Sequence, residues 1–109
     1  MAKSKAEEAI RYFEERLKAS CVSVSKIILF GSQARGNAFA ESDVDILLIS
    51  SDFSNKDIYK RLEMIKEAEI ATIKKFMIPL DVIMMTPEEF NSGSSLVSSF
   101  AQNGKVISF

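Results

Sequence analysis

Three short apolar runs, separated by longer segments of helical periodicity, constrain the fold of this chain more than any other feature. The runs are Lys26–Phe30, Asp43–Ser50 beyond its acidic start, and Leu80–Met85. Apolar runs of this length, bounded by glycine, proline or polar turns, are typical of buried strands. The alternation predicts an α/β (α+β) fold in which flanking helices pack on a small mixed β-sheet.

Two longer segments are predicted to be helices. Residues 4–19 carry apolar side chains at helical spacing, and so do residues 57–76. The segment Ser51–Asn55 before the second helix is polar, and Ser54 or Asn55 is available as its N-cap.

A third helix start follows the last apolar run. Thr86 can cap it, Pro87 suits the first helical position, and Glu89 can complete a capping box. A last helix is predicted from about residue 94 to residue 104, and the tail 105–109 is predicted to add a short edge strand.

The composition limits the chemistry that the chain can perform. Its 109 residues, of which 47% are hydrophobic, suit a single domain over residues 1–109. Histidine is absent and Cys21 is the one cysteine. This excludes Ser-His-Asp and Cys-His nucleophilic sites, Cys/His zinc frameworks and an internal disulfide. Catalysis must therefore use Asp, Glu, Ser, Thr, Tyr, Lys or Arg.

The charge balance and the absence of long apolar runs limit the partners and the location. Fourteen basic and fifteen acidic residues leave a net charge of −1, so no nucleic-acid template is expected. The basic residues of the second long helix are interpreted as a solvated face: Lys56, Lys60, Arg61, Lys66, Lys74 and Lys75. No apolar run approaches the roughly 20 residues that span a bilayer. We expect a cytoplasmic protein that binds no membrane.

Three aspartates are the candidate catalytic and metal-binding residues. Asp43 and Asp45 are two residues apart in a strand, so their side chains leave the same face. Two such carboxylates repel each other, and their hard oxygens select Mg²⁺ or Mn²⁺. Asp81 lies inside an apolar run, where a charge is costly unless it is paired or metal-bound. If its strand lies beside that of Asp45, the three carboxylates can form a two-metal phosphoryl-transfer site.

Gly31 and Ser32 directly follow the first strand and are candidates for phosphate binding. Gly31 permits a sharp turn without a Cβ, and Ser32 can donate its hydroxyl to an anion. A lone Gly-Ser turn is more often structural, and Arg35 is as readily a solvated loop residue as a phosphate ligand. The value of these residues lies in their combination with the three aspartates.

The segments Phe30–Gly36, Ser42–Ile46 and Leu80–Val82 together resemble the minimal nucleotidyltransferase (MNT) family of the DNA polymerase β superfamily. The shared pattern is an apolar residue, Gly-Ser, about ten residues, Asp-x-Asp, and a third acid on a later strand. The resemblance implies a polymerase β-like nucleotidyltransferase fold.

The resemblance also implies a role for each candidate residue. Gly31 and Ser32 would bind the triphosphate of ATP, and Arg35 would contact a phosphate or the partner. The three aspartates would be the catalytic ligands of two magnesium ions, with manganese as a substitute. Asp81 would also help to activate the attacking hydroxyl.

For function, the family implies transfer of AMP from a nucleoside triphosphate, ATP above all, to a hydroxyl group. The acceptor it implies is a tyrosine of a HEPN-domain toxin, with the chain as the antitoxin of a hetero-oligomeric toxin–antitoxin pair. Two alternatives stay open. One is nucleotidyl transfer to a small molecule such as an antibiotic, and the other is a non-catalytic module that neutralises its partner by occlusion.

Overall fold

The computed structural model describes residues 5–30, 44–92 and 105–108, with the backbone alone for the last segment. The order of elements within these residues is α1 (Lys5–Ala19), β1 (Lys26–Phe30), β2 (Val44–Ile49), a 3₁₀ turn (Ser51–Phe53), α2 (Ile58–Phe76), β3 (Leu80–Met85), α3 (Pro87–Asn91) and β4 (Lys105–Ser108). The two long helices and the three apolar strands predicted from sequence are confirmed within these residues.

The strands form one mixed sheet in the order β3-β2-β1-β4. β2 and β3 are parallel, whereas β1 is antiparallel to β2 and to β4. Parallel neighbours need a long crossover connection, and α2 supplies it between β2 and β3. The predicted small mixed sheet with flanking helices is therefore confirmed, and β4 is the edge strand predicted for the tail.

The main core lies between one face of the sheet and the two long helices. Alternate residues of β2 project to this face because the side-chain period of a strand is two. They pack with the buried stripes of α1 and α2 into one cluster whose members include Ile10, Phe13, Leu17, Val44, Ile46, Leu48, Phe53, Ile65 and Ala68. None of the helices in the described residues is both long and apolar enough to span a bilayer.

The opposite face of the sheet carries a smaller cluster. Ile28, Leu47 and Ile49 are buried there, and Phe90 of α3 packs against them. Asp45 is in phase with Leu47 and Ile49 along β2, so its side chain leaves the sheet on this second face. The Asp45 carboxylate therefore lies on the face of the sheet opposite α1 and α2.

The N-cap of α2 differs from the prediction. Asp57 caps this helix, and its Oδ1 accepts the backbone N–H of Lys60 at 2.9 Å. The prediction of Ser54 or Asn55 is wrong because Ser51–Phe53 forms a 3₁₀ turn and Asn55 adopts a left-handed φ of 63°, so the helix begins only after Asp57.

The start of α3 is a capping box, as predicted. The Glu89 backbone N–H donates to Thr86 Oγ1 at 3.1 Å, and the Thr86 backbone N–H donates to Glu89 Oε1 at 2.9 Å. Pro87 occupies the first turn, where its missing N–H costs nothing. The last helix predicted over residues 94–104 lies outside the described residues.

Candidate active site

Asp45 and Asp81 lie directly opposite each other on neighbouring strands. The register of the parallel pair β2–β3 matches Asp45 with Asp81 and Leu47 with Ile83. Laterally paired residues share a face, and neighbouring strands are about 4.8 Å apart. The two carboxylates therefore leave the same face of the sheet, side by side, at the start of both strands.

The end of β1 adjoins the same position. Phe30, the last residue of β1, pairs with Asp45 from the other side of β2. From Phe30 the chain continues into Gly31 and Ser32, which lie outside the described residues, as do Arg35 and Asp43. The structure thus brings together two of the six residues singled out from sequence and leaves the other four as predictions.

Asp81 is exposed, although its apolar neighbours in sequence suggested a costly buried charge. Within the described part of the chain β3 lies at an edge of the sheet, and Asp81 is its second residue. An exposed carboxylate keeps most of its hydration, so the apolar run around Asp81 does not by itself require a metal ion or a charged partner. Asp45, on the central strand β2, is the half-buried member of the pair.

Glu69 of α2 adds a third negative charge that sequence reasoning missed. Burial raises the pKa of the Glu69 carboxyl above its ordinary value, and the nearby charge of Asp81 raises that pKa further. No local pattern marks a glutamate on a long helix as a neighbour of a residue twelve positions later. Glu69 therefore lies close enough to Asp81 for the two carboxylates to repel each other.

The chemistry of the Asp45 and Asp81 carboxylates fits a magnesium ion. Carboxylate oxygens are hard ligands, and a divalent cation offsets the repulsion between adjacent acids. Among residues 5–30 and 44–92, no group of three or more acidic, histidine or cysteine side chains is placed to hold a metal. Asp43, the third ligand predicted from sequence, lies outside that part.

Arg61 joins α2 to the start of α3, contrary to its interpretation as part of a solvated basic face. Its guanidinium donates to both Glu89 carboxylate oxygens, at 2.9 and 3.2 Å, and to the Met84 carbonyl at 3.3 Å. Only 13% of the Arg61 side chain is exposed. The pairing holds the start of α3 against the end of β3. Arg61 and Glu89 are far apart in sequence, so no local pattern predicted their contact.

The Arg61–Glu89 pair predicts how stability depends on pH. Hydrogen bonds from Arg61 and Thr86 lower the pKa of Glu89 below its ordinary value of 4.5. A lowered folded-state pKa contributes stability above pH 4.5 that is lost as the pH falls through the folded-state value. We expect Glu89→Gln to reduce the loss of stability between pH 5 and 3, by less than about 1 kcal/mol because the glutamate is half exposed. Urea unfolding at several pH values measures this. An unchanged pH slope in Glu89→Gln would contradict the pairing.

Comparison with known proteins identifies the family of this chain. The model of the nucleotidyltransferase domain family matches residues 6–107, and the chain belongs to this family. Two relatives are proteins of Methanocaldococcus jannaschii provisionally named protein adenylyltransferases. One is 33% identical over 93% of this chain and 96% of its own length, and the other is 34% identical over 74% of this chain. The chain spans only 56% of that second relative.

The structural neighbours agree with the fold. A crystal structure of a toxin–antitoxin with AMP-PNP aligns with a TM-score of 0.62 at 20% identity, over 94% of this chain and 72% of that one. This similarity establishes a shared fold. The resemblance to minimal nucleotidyltransferases predicted from the motifs is thus confirmed, and the class of enzyme is a nucleotidyltransferase.

Proposed function

We propose that this protein transfers AMP from ATP to the hydroxyl of a tyrosine on a HEPN-domain toxin, and acts as the antitoxin of that partner. The observation that carries the proposal is the in-register placement of Asp45 and Asp81 on one face of the sheet. Adenylyltransferase names among the relatives and a toxin–antitoxin with AMP-PNP among the structural neighbours support the nucleotide and the kind of partner.

Asp43, Asp45 and Asp81 would hold two magnesium ions. When bound, such ions neutralise charge on the attacking and leaving oxygens of phosphoryl transfer. Of the two described carboxylates, Asp45 is half-buried on an inner strand and Asp81 is exposed to solvent. Manganese suits the same oxygen ligands.

The chain's own residues then bind the nucleotide and move one proton. Gly31 and Ser32 bind the triphosphate, with Arg35 on a phosphate. Asp81 accepts the proton of the tyrosine hydroxyl while the tyrosine oxygen forms a bond to the α-phosphorus of ATP. The bond from the α-phosphorus to the bridging oxygen breaks, and pyrophosphate leaves with those electrons. Because Asp81 is exposed, a protein side chain can approach it from solvent.

Label transfer tests the proposal directly. The protein is purified from its native cell together with whatever co-elutes, and is then incubated with magnesium and ATP labelled at the α-phosphate. We expect label on a partner protein, on a phosphodiester-linked tyrosine identified by mass spectrometry. ATP labelled at the γ-phosphate is the matched control and should leave the partner unlabelled.

Each other outcome of this experiment excludes the proposal in a specific way. Label from the γ-phosphate would indicate a kinase. Label on a small molecule would favour the antibiotic-like alternative. A tight complex with no label, in which the partner is nevertheless neutralised, would indicate occlusion.

A further inference from the structure

The solvent-facing side of α2 carries apolar side chains that the described residues leave largely or partly exposed. Tyr59 is 78% exposed, Leu62 42% and Ile70 41%. Glu63 and Lys66 lie among them and are also exposed. A shallow concavity of about 420 Å³ is lined by Tyr59, Leu62, Glu63, Lys66 and Glu69. Exposed apolar side chains grouped on one helix face, with charges between them, are typical of an interaction surface.

The spacing of these residues aligns them along one line of the helix. Tyr59 and Ile70 are eleven positions apart, which is close to three full turns at 3.6 residues per turn, so they point in nearly the same direction. Glu63 and Lys66 lie between them and flank that line. The buried residues Ile65, Ala68 and Thr72 occupy the opposite side of the helix.

This line of residues is complementary to itself when reversed. The midpoint of Tyr59 and Ile70 falls between residues 64 and 65, and so does the midpoint of Glu63 and Lys66. If two copies of α2 pack antiparallel about a two-fold axis through that midpoint, Tyr59 faces Ile70 of the second copy. Glu63 then lies level with Lys66 of the second copy, within reach of its long side chain. A two-fold interface requires this kind of self-complementarity.

We infer that the protein self-associates through this face of α2, with a second copy of the same chain as the occupant. Both an apolar pair and an ion pair are matched about a single midpoint, which favours a second copy over an unrelated protein. A contact between one helix of each copy buries little surface and lies at the weak end of specific interfaces. α2 packs on the main-core face of the sheet, whereas the side chains of Asp45 and Asp81 leave the opposite face.

Charge reversal provides a sharp test by sedimentation equilibrium, over protein concentrations from about 10 μM to about 1 mM. We expect wild type to form dimers. Glu63→Lys and Lys66→Glu should each weaken dimerisation about tenfold, because each reversal turns two attractive pairs of the dimer into repulsive ones. The double variant Glu63→Lys/Lys66→Glu should recover wild-type association. An equimolar mixture of the two single variants should form heterodimers, since every facing pair is then attractive.

Glu15→Lys on the exposed side of α1 is the matched control and should dimerise as wild type does. Circular dichroism of each variant checks that the helices are intact. The inference fails if wild type stays monomeric at about 1 mM, or if the mixed single variants associate no better than either alone. The inference stands apart from the proposed activity, because association is measured without nucleotide.

Discussion

Asp45→Asn and Asp81→Asn each reduce nucleotide transfer to background, a loss of more than about 100-fold, if the two carboxylates hold the magnesium ions. The amide keeps the size of the side chain but removes the negative charge that a hard cation requires. Transfer of α-phosphate label to the partner, at saturating ATP and magnesium, measures the effect.

Two controls separate this loss of activity from a loss of structure. Asp57→Asn makes the same chemical change at the N-cap of α2, where asparagine caps as well as aspartate, and should leave transfer within about twofold of wild type. Asp81→Asn should be at least as stable to urea as wild type, because it removes the negative charge that acts on Glu69. Full transfer by either site variant would exclude these carboxylates from the reaction.

Phe13→Ala should destabilise the fold by about 3–5 kcal/mol, a large part of the roughly 5–15 kcal/mol that holds a domain of this kind together. Phe13 is fully buried on α1, within the cluster that joins both long helices to the sheet. Truncation removes its transfer free energy and leaves a cavity that rigid neighbours cannot fill.

Urea unfolding followed by circular dichroism measures the effect of Phe13→Ala as a lower midpoint with little change in slope. Arg11→Ala on the exposed side of α1 is the matched control and should change stability by less than about 0.5 kcal/mol. A loss below about 1 kcal/mol in Phe13→Ala would mean that α1 does not pack on the sheet as described.

Local signals in the sequence predicted the elements of the fold well. Apolar periodicity located α1 and α2, and short apolar runs located the strands, because both patterns record which side of an element faces the core. The capping box of Thr86 and Glu89 was readable because all its groups lie within four residues. The N-cap of α2 could not be predicted in this way. Several residues that can cap a helix occur close together, and the 3₁₀ turn at Ser51–Phe53 decides which of them precedes the helix.

For the candidate site, the sequence by itself determined which residue types are available and which segments carry them. It supplied three aspartates, a Gly-Ser turn and a motif spacing sufficient to identify the family. Asp43, Gly31, Ser32 and Arg35 remain predictions on that basis. The matching of Asp45 with Asp81 was conditional on their strands being neighbours, which no local pattern settles.

Tertiary structure alone decided the order of the strands, the register that sets Asp45 beside Asp81, and the exposure of Asp81 at a sheet edge. It also decided that Arg61 pairs with Glu89 and that Glu69 lies near the charge of Asp81. The physical reason is the same in each case. Periodicity and capping act within a few residues, whereas strand neighbours and ion pairs across elements follow from how the whole core packs.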